Sequence, residues 1–302
     1  MSGVRVRVPA TTANLGPGFD CLGCALTMYA SFTCETIPSG LEITGCPEPF
    51  RNADNLFVRA FRRAEQAIGA AETAFRLHIA TDVPVSRGLG SSATLLAGGV
   101  AAANALHGSP LSRQAMVELC NELEGHPDNV APAVLGGMCA SLVRDGRPVT
   151  ARVDVSSEVG FIALIPNYAS ETRAMRAALP KEVPFADAVF NASHLAVLLR
   201  AFEAGDFSQI AAAMDDRLHQ PYRLKLIPGA EQVFDFFDKQ QAYAAYISGA
   251  GSTLMGLVPA DRMKDICQAA RAFLDAQGLC GWQVLGLRAG EGARIVTAEE
   301  GR

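Results

Sequence analysis

Residues 83–104 read V-P-V-S-R-G-L-G-S-S-A-T-L-L-A-G-G-V-A-A-A-N, and the rest of the chain is organised around them. Gly88 and Gly90 permit backbone turns that a Cβ forbids. Ser91 and Ser92 follow, then a run of small and apolar residues to Leu106 without a proline. A glycine turn feeding a helix start leaves unpaired N–H groups at the positive end of the helix dipole, which favours an anion. A helix cap accounts for one serine, not for two. Ala97, Gly98, Gly99, Ala101, Ala102 and Ala103 also make a thin helix that admits very close packing. No Lys follows the glycines, so this is not the P-loop pattern. It reads as a phosphate-binding loop of another type.

The chain has 302 residues, enough for a large core and two domains. Charged residues at 19% and apolar residues at 49% describe a globular protein rather than a disordered one. A formal charge of −5 without a basic stripe argues against nucleic acid as the main partner. No stretch is expected to reach the ~20 apolar residues that span a bilayer. Residues 1–8 carry two arginines and no apolar run, so no signal peptide and a cytoplasmic address are expected. The eight cysteines are scattered, most of them inside apolar runs, and are expected to be reduced and buried. Cys21 and Cys24 form C-x-x-C, but no second pair completes a zinc site.

In chain order, Val4, Val6 and Val8 alternate with Arg5 and Arg7 as a half-buried strand. It runs into a sharp loop, P-A-T-T-A-N-L-G-P-G-F-D-C-L-G at 9–23, whose Asn14 and Asp20 read either as Asx turns or as substrate groups. A second strand spans 26–34. A helix capped at 54–55 runs to Ile68, and a short strand near Leu77 and Ile79 leads into the glycine loop. Ser112 caps a helix that ends in E-L-E-G-H-P-D-N-V, residues 122–130. Glu124 lies in its last turn, where the dipole disfavours a carboxylate by about 0.3–1 kcal/mol. It sits about 80° round from Met116, bordering the apolar face. A divalent cation would explain it, because Mg²⁺ takes one or two carboxylates with phosphate oxygens. Asp128 reads equally as a cap for the next short helix or as a catalytic group. Asp145-Gly146 marks a hairpin.

From 158 the pattern changes to strand, helices, two strands, a helix and a last pair of strands, which suggests a split βαβ sandwich. Between its middle strands S-G-A-G-S-T, residues 248–253, reads as a glycine hairpin closing over a ligand, or as a simple tight turn.

Three motifs together resemble the GHMP small-molecule kinases: P-A-T-T-A-N-L-G-P-G-F-D at 9–20, P-V-S-R-G-L-G-S-S-A at 84–93 and S-G-A-G-S-T at 248–253. E-G-H-P-D-N-V-A-P at 124–132, T-R-A-M-R-A-A-L-P at 172–180 and P-Y-R at 221–223 resemble the branch of that family that acts on L-homoserine. Ser252 departs from the family, which usually has proline there. The resemblance implies an α+β, two-domain GHMP kinase fold. Residues 1–157 would form an N-terminal ribosomal-protein-S5-like ATP-binding domain, and residues 158–302 a C-terminal ferredoxin-like domain. It implies transfer of a phosphoryl group from ATP to the homoserine side-chain hydroxyl, giving O-phospho-L-homoserine for threonine biosynthesis. Carried over position by position, Pro84, Val85, Ser86, Arg87, Gly88, Leu89, Gly90, Ser91, Ser92, Ala93 and Thr94 would hold ATP, and Ser92 and Glu124 would hold Mg²⁺. Asn14, Asp20, Asn129, Arg176 and Arg223 would surround homoserine, with Asn14, Asn129 and Glu124 at the reacting centre and Asp128 serving structure. A mevalonate-type alcohol acceptor and a non-catalytic ligand sensor of the same fold stay open, as does a homodimer.

Overall fold

The alternating valines give β1 (Gly3–Ala13), which pairs antiparallel with β2 (Leu22–Thr36). The computed structural model describes residues 3–170 and 172–296. β3 (Leu41–Thr44), α1 (Leu56–Ile68) and β4 (Phe75–Thr81) follow, then α2 (Ser91–Leu106), α3 (Arg113–Glu124) and α4 (Pro127–Leu135). The hairpin β5 (Met138–Arg144) and β6 (Arg147–Val153) completes the first half. The second half holds β7 (Val159–Ile165), α5 (Thr172–Ala177), α6 (Phe185–Ala204), α7 (Phe207–Ala213), α8 (Gln220–Arg223) and α9 (Ala230–Lys239). It ends in β8 (Ala244–Ile247), β9 (Leu254–Pro259), α10 (Met263–Ala276), β10 (Gln283–Leu287) and β11 (Arg294–Val296).

Two sheets result. The first runs β11-β1-β2-β4-β3, with β5 also on β2 and β6 on β5. The second runs β10-β7-β9-β8, all antiparallel, the strand order of a split βαβ sandwich. The expected last pair of strands divides between them. β10 lies in the second sheet, while β11 returns to pair with β1 of the first.

Several expectations shift. Residues 9–13, expected in the loop, continue β1 past an irregularity in its pairing with β2 between Pro9 and Thr11. The short β3 and the helices α8 and α9 were not expected, although Val233, Phe236 and Phe237 of α9 recur at helical spacing and are buried. Against expectation, α6 is long and apolar enough by length and composition to cross a membrane. Its Asn191, Leu198, Ala201 and Phe202 are buried against the body, and it carries Asp187, Arg200 and Glu203.

The thinness of α2 has a packing purpose. A Cβ on Gly98 would press into the Phe32 ring, and one on Gly99 would overlap the Phe57 carbonyl. α2 therefore lies directly on α1, above a cluster in which Phe61 and Phe75 stand 4.4 Å apart and Phe32 and Phe57 5.2 Å apart. That packing sets the height of the α2 N-terminus against the strand ends. A ring can tilt, whereas a helix carbonyl cannot retreat. Gly99→Ala is therefore expected to lower stability in urea titrations by about 1–3 kcal/mol through overpacking, and Gly98→Ala by clearly less. Equal midpoints for the two variants would contradict this packing.

Candidate active site

The loop after β1 carries the first cleft residues. Asn14, Leu15 and Asp20 have positive φ (75°, 40° and 53°), which Asn and Asp accept more readily than most residues. The turn is held because the Asn14 N–H donates to the Leu22 carbonyl (2.7 Å) and the Asp20 N–H to Asn14 Oδ1 (3.0 Å). The other Asn14 amide end donates to the Gly249 carbonyl at 2.7 Å, so this buried side chain ties the two halves of the chain together.

The glycine loop delivers α2 into the same cleft. The N-cap of α2 is Gly90 in the left-handed region (φ 66°), with no side-chain cap, so neither serine is used as one. Instead the Ser92 hydroxyl donates to Glu124 Oε1 in a very close contact. Glu124 is the last residue of α3, and Gly125 turns the chain away from it. Glu122, the neighbouring carboxylate, pairs with Arg63 on the surface at 2.7 Å and faces elsewhere.

Asp128 is not a helix cap. The N-cap of α4 is His126, and Asp128 is a buried first-turn residue whose Oδ1 meets His126 Nδ1 at 2.6 Å and Asn129 Nδ2 at 3.3 Å. The bond to Asp128 raises His126 above its ordinary pKa. Asn129 Oδ1 accepts from the Thr11 hydroxyl at 2.7 Å.

The opposite side of the cleft is strongly polarised. Arg176 of α5 grips Asp20 with both terminal nitrogens, each 3.0 Å from a carboxylate oxygen, and this bond raises the guanidinium's pKa. Arg223 ends α8 with only 1% of its surface exposed. It donates to the carbonyls of Met175 (3.2 Å) and Gly249 (3.1 Å) and stands 5.1 Å over the Phe19 ring. Among the described residues no carboxylate forms an ion pair with it, and burial lowers its pKa to about 10. A buried cation without a counter-ion is costly to hold.

The glycine hairpin is anchored rather than free. Ser248 Oγ donates its one hydrogen to the Gly88 carbonyl at 2.6 Å and accepts from the Thr12 hydroxyl at 2.8 Å. The Gly249 N–H donates to the Ala13 carbonyl at 3.0 Å, and that of Thr253 to the Arg87 carbonyl at 3.1 Å. Ser252 Oγ donates to the Tyr168 carbonyl at 3.1 Å.

Together these elements enclose a cleft of about 180 Å³. It is lined by Asn14, Asp20, Ser86, Gly88, Gly90, Ser91, Ser92, Glu124, His126, Asp128, Asn129, Arg176, Arg223, Gly249 and Ala250. Of the loop residues read from the sequence, Leu89 and Ala93 are instead buried in the core beneath it. Thr94 is buried too and bonds back to the Ser91 carbonyl. Pro84, Val85 and Arg87 do not line the cleft. The Arg87 guanidinium instead reaches the carbonyls of Pro166 and Asn167. Thr11, Thr12 and Ser248 were not singled out by sequence; their one signal was small hydroxyl residues flanking the two glycine motifs. A larger hollow of about 600 Å³ beside α8 and α9 is lined by Asp215, Asp216, Asp235 and Asp238 against the single cation Arg217, an acidic balance that disfavours a polyphosphate.

The patterns for the GHMP kinases N terminal domain and the GHMP kinases C terminal region match residues 55–137 and 198–276. A homoserine kinase of Clostridium botulinum is 42% identical over 272 residues, covering 90% of this chain and 91% of the relative. The chain belongs to the GHMP kinase family. A homoserine kinase of Synechococcus is 44% identical over 91% of this chain and 92% of its own length. The crystal structure of a homoserine kinase from Cytophaga hutchinsonii superposes with a TM-score of 0.90 at 26% identity, covering 98% of both chains. The two-sheet architecture is thus the two-domain GHMP kinase fold.

Gly90 carries a separable structural demand. A Cβ there would overlap Thr11 Oγ1 and crowd Asn129 Oδ1, so the steric obstacle falls first on the cleft's own scaffold. Gly90→Ala is expected to lower the thermal midpoint, with left-handed backbone alone costing roughly 1–2 kcal/mol. In a Thr11→Ala background the same substitution should cost less, because the overlapped atom is gone. Strict additivity in that double-mutant cycle would show that Gly90 does not face Thr11.

Proposed function

We propose that this cleft transfers the γ-phosphoryl group of ATP to the side-chain hydroxyl of L-homoserine, forming O-phospho-L-homoserine and serving threonine biosynthesis. The observation that carries the acceptor is Arg223, a buried cation with no carboxylate partner among the described residues, beside the Arg176–Asp20 pair. A free amino acid brings one carboxylate and one ammonium. Arg223 and Arg176 offer the carboxylate planar forks, and Asp20 offers the ammonium an anion. The relatives above, which are homoserine kinases, support the same acceptor. The phosphate side is supported by the bare first turn of α2, where backbone N–H groups and the helix dipole meet an anion.

In this reading residues 1–157 bind the nucleotide, and residues 158–302 contribute the arginines and the hairpin. Ser86, Gly88, Gly90, Ser91 and Ser92 hold the phosphates. Ser92 and Glu124 suit Mg²⁺, since a hydroxyl and a carboxylate oxygen lie in direct contact at the phosphate end. When bound, the ion would neutralise charge on the β- and γ-phosphate oxygens. Asn129 orients the acceptor hydroxyl: its oxygen is taken by Thr11 and one amide hydrogen by Asp128, which leaves the second hydrogen to donate. Asn14 acts by keeping the loop turned and tied to Gly249. Asp128 is engaged by His126 and Asn129 and is assigned to structure. Phosphoryl transfer of this kind rests on positioning and charge neutralisation, which these groups supply without a dedicated base.

Coupled ADP release is expected with homoserine and not with mevalonate or a blank. Arg223→Ala and Arg176→Ala should each raise KM for homoserine steeply, by about thirtyfold or more for the buried Arg223, with KM for ATP nearly unchanged. The amino alcohol that lacks only the carboxylate should be a poor substrate for the parent. Both variants should discriminate against it much less. If they keep the parent's preference for the carboxylate, the acceptor assignment fails.

Glu124→Gln tests the phosphate side. Stability should hold or rise, because a carboxylate leaves the negative end of α3, an effect of about 0.3–1 kcal/mol. Turnover should fall, and the Mg²⁺ concentration giving half-maximal rate should rise. An unchanged Mg²⁺ titration would remove Glu124 from the metal.

A further inference from the structure

Every group assigned to the acceptor depends on how the loop after β1 sits against α8, and one side chain spans that junction. His219 is fully buried immediately before α8. Its Nε2 lies 2.9 Å from the Gly16 carbonyl, between Asn14 and Asp20 in the loop. Its ring stacks on Phe19 at 5.2 Å and 24° between planes. Its own carbonyl accepts the Arg223 N–H at 3.1 Å. One residue thus touches the loop that carries Asp20 and the helix that carries Arg223.

The surroundings hold this ring in one orientation. Asp216 Oδ2 accepts the N–H groups of His219 (2.9 Å) and Gln220 (2.7 Å), while its Oδ1 accepts from Leu218 (3.0 Å) and from Asn191 of α6 (2.7 Å). Asn191 also reaches the Pro17 carbonyl at 3.3 Å, so α6 and α8 grip two consecutive loop carbonyls. The Gly16 carbonyl can only accept, so Nε2 carries the hydrogen and Nδ1 the lone pair. That Nδ1 is buried and without a partner. Burial lowers the His219 pKa against the opposing pull of Asp216, the Gly16 bond and Asp20, and nearby Arg223 lowers it further. A neutral ring beside Arg223 adds no second buried cation. Phe19, clamped by this stack, lies under Arg223 (5.1 Å) and within 6.0 Å of Arg176.

We infer that His219 is a positioning residue for the acceptor: through its bond to the Gly16 carbonyl and its stack on Phe19 it sets the spacing between Asp20 and Arg223, and hence the affinity for an amino-acid acceptor. The inference rests on the acceptor reading above. It separates the two substrates, because nothing in this contact touches the α2 N-terminus.

The test compares two amides of different reach. In H219Q the side-chain amide can stand where Nε2 stands and donate to Gly16, whereas in H219N it stops near the Nδ1 position. H219N should raise KM for homoserine about tenfold or more, the effect of leaving one buried partner unmade. Its KM for ATP, and kcat at saturating homoserine, should stay within about twofold, below the energy of one such bond. H219Q should recover most of the loss. H219F, which keeps the stack and removes the donor, serves the same purpose if H219N does not fold. Equal loss in H219Q and H219N, or a parallel rise in KM for ATP, would reduce His219 to a structural residue. An unchanged homoserine KM in a parent that phosphorylates homoserine would overturn this inference alone. A parent that releases no ADP with homoserine overturns the acceptor reading and this inference with it.

Discussion

The first turn of α2 must stay open to the cleft while the rest of the helix is sealed in the core, and most of the molecule serves that requirement. An uncapped helix start has N–H groups that need a partner, and here the partner is left to come from the cleft. Holding such an end in place falls to its neighbours. The Thr11 N–H donates to the Leu89 carbonyl at 3.1 Å, Ser248 bonds the Gly88 carbonyl, and Ser92 is fixed by Glu124. β1, the hairpin between β8 and β9, and the end of α3 thus converge on five consecutive residues.

The acceptor half works by a different principle. Asp20 and Arg176 neutralise each other across the cleft, while Arg223 is kept buried on carbonyl dipoles and an aromatic face instead of a counter-ion. Carbonyl contacts stabilise the charge without cancelling it. On the proposed function, an amino acid entering there would exchange one ion pair for two charge-matched contacts and supply the carboxylate that Arg223 lacks among the described residues.

Side chains reaching across the cleft keep these two halves at fixed separation. Asn14 and Arg223 share the Gly249 carbonyl, one from each half of the chain. Arg87, read from sequence as an ATP ligand, ties the glycine loop to the carbonyls after β7. Asp128, which reads from sequence equally as a helix cap or a catalytic group, holds His126 and Asn129 in line. For Asn14, Arg223 and Arg87 the residue type was informative, but the partner lay in another element, whereas Asp128 finds its partners one and two residues away.

What the sequence determined by itself was local. Gly88, Gly90 and the serines specify a turn and a bare helix start, because those depend on backbone sterics within a few residues. The 3.6-residue period put Glu124 at the border of an apolar face and at the wrong end of a dipole, and α3 ends there. The motif order carried the family and its two-part fold. Tertiary structure alone decided which charges meet. Asp20 and Arg176 are 156 residues apart, and His219 and Gly16 are 203 apart. No periodicity reaches over such separations. They are closed by sheet register, by the return of β11 to β1, and by the burial of α2 against α1, which depend on how whole elements pack.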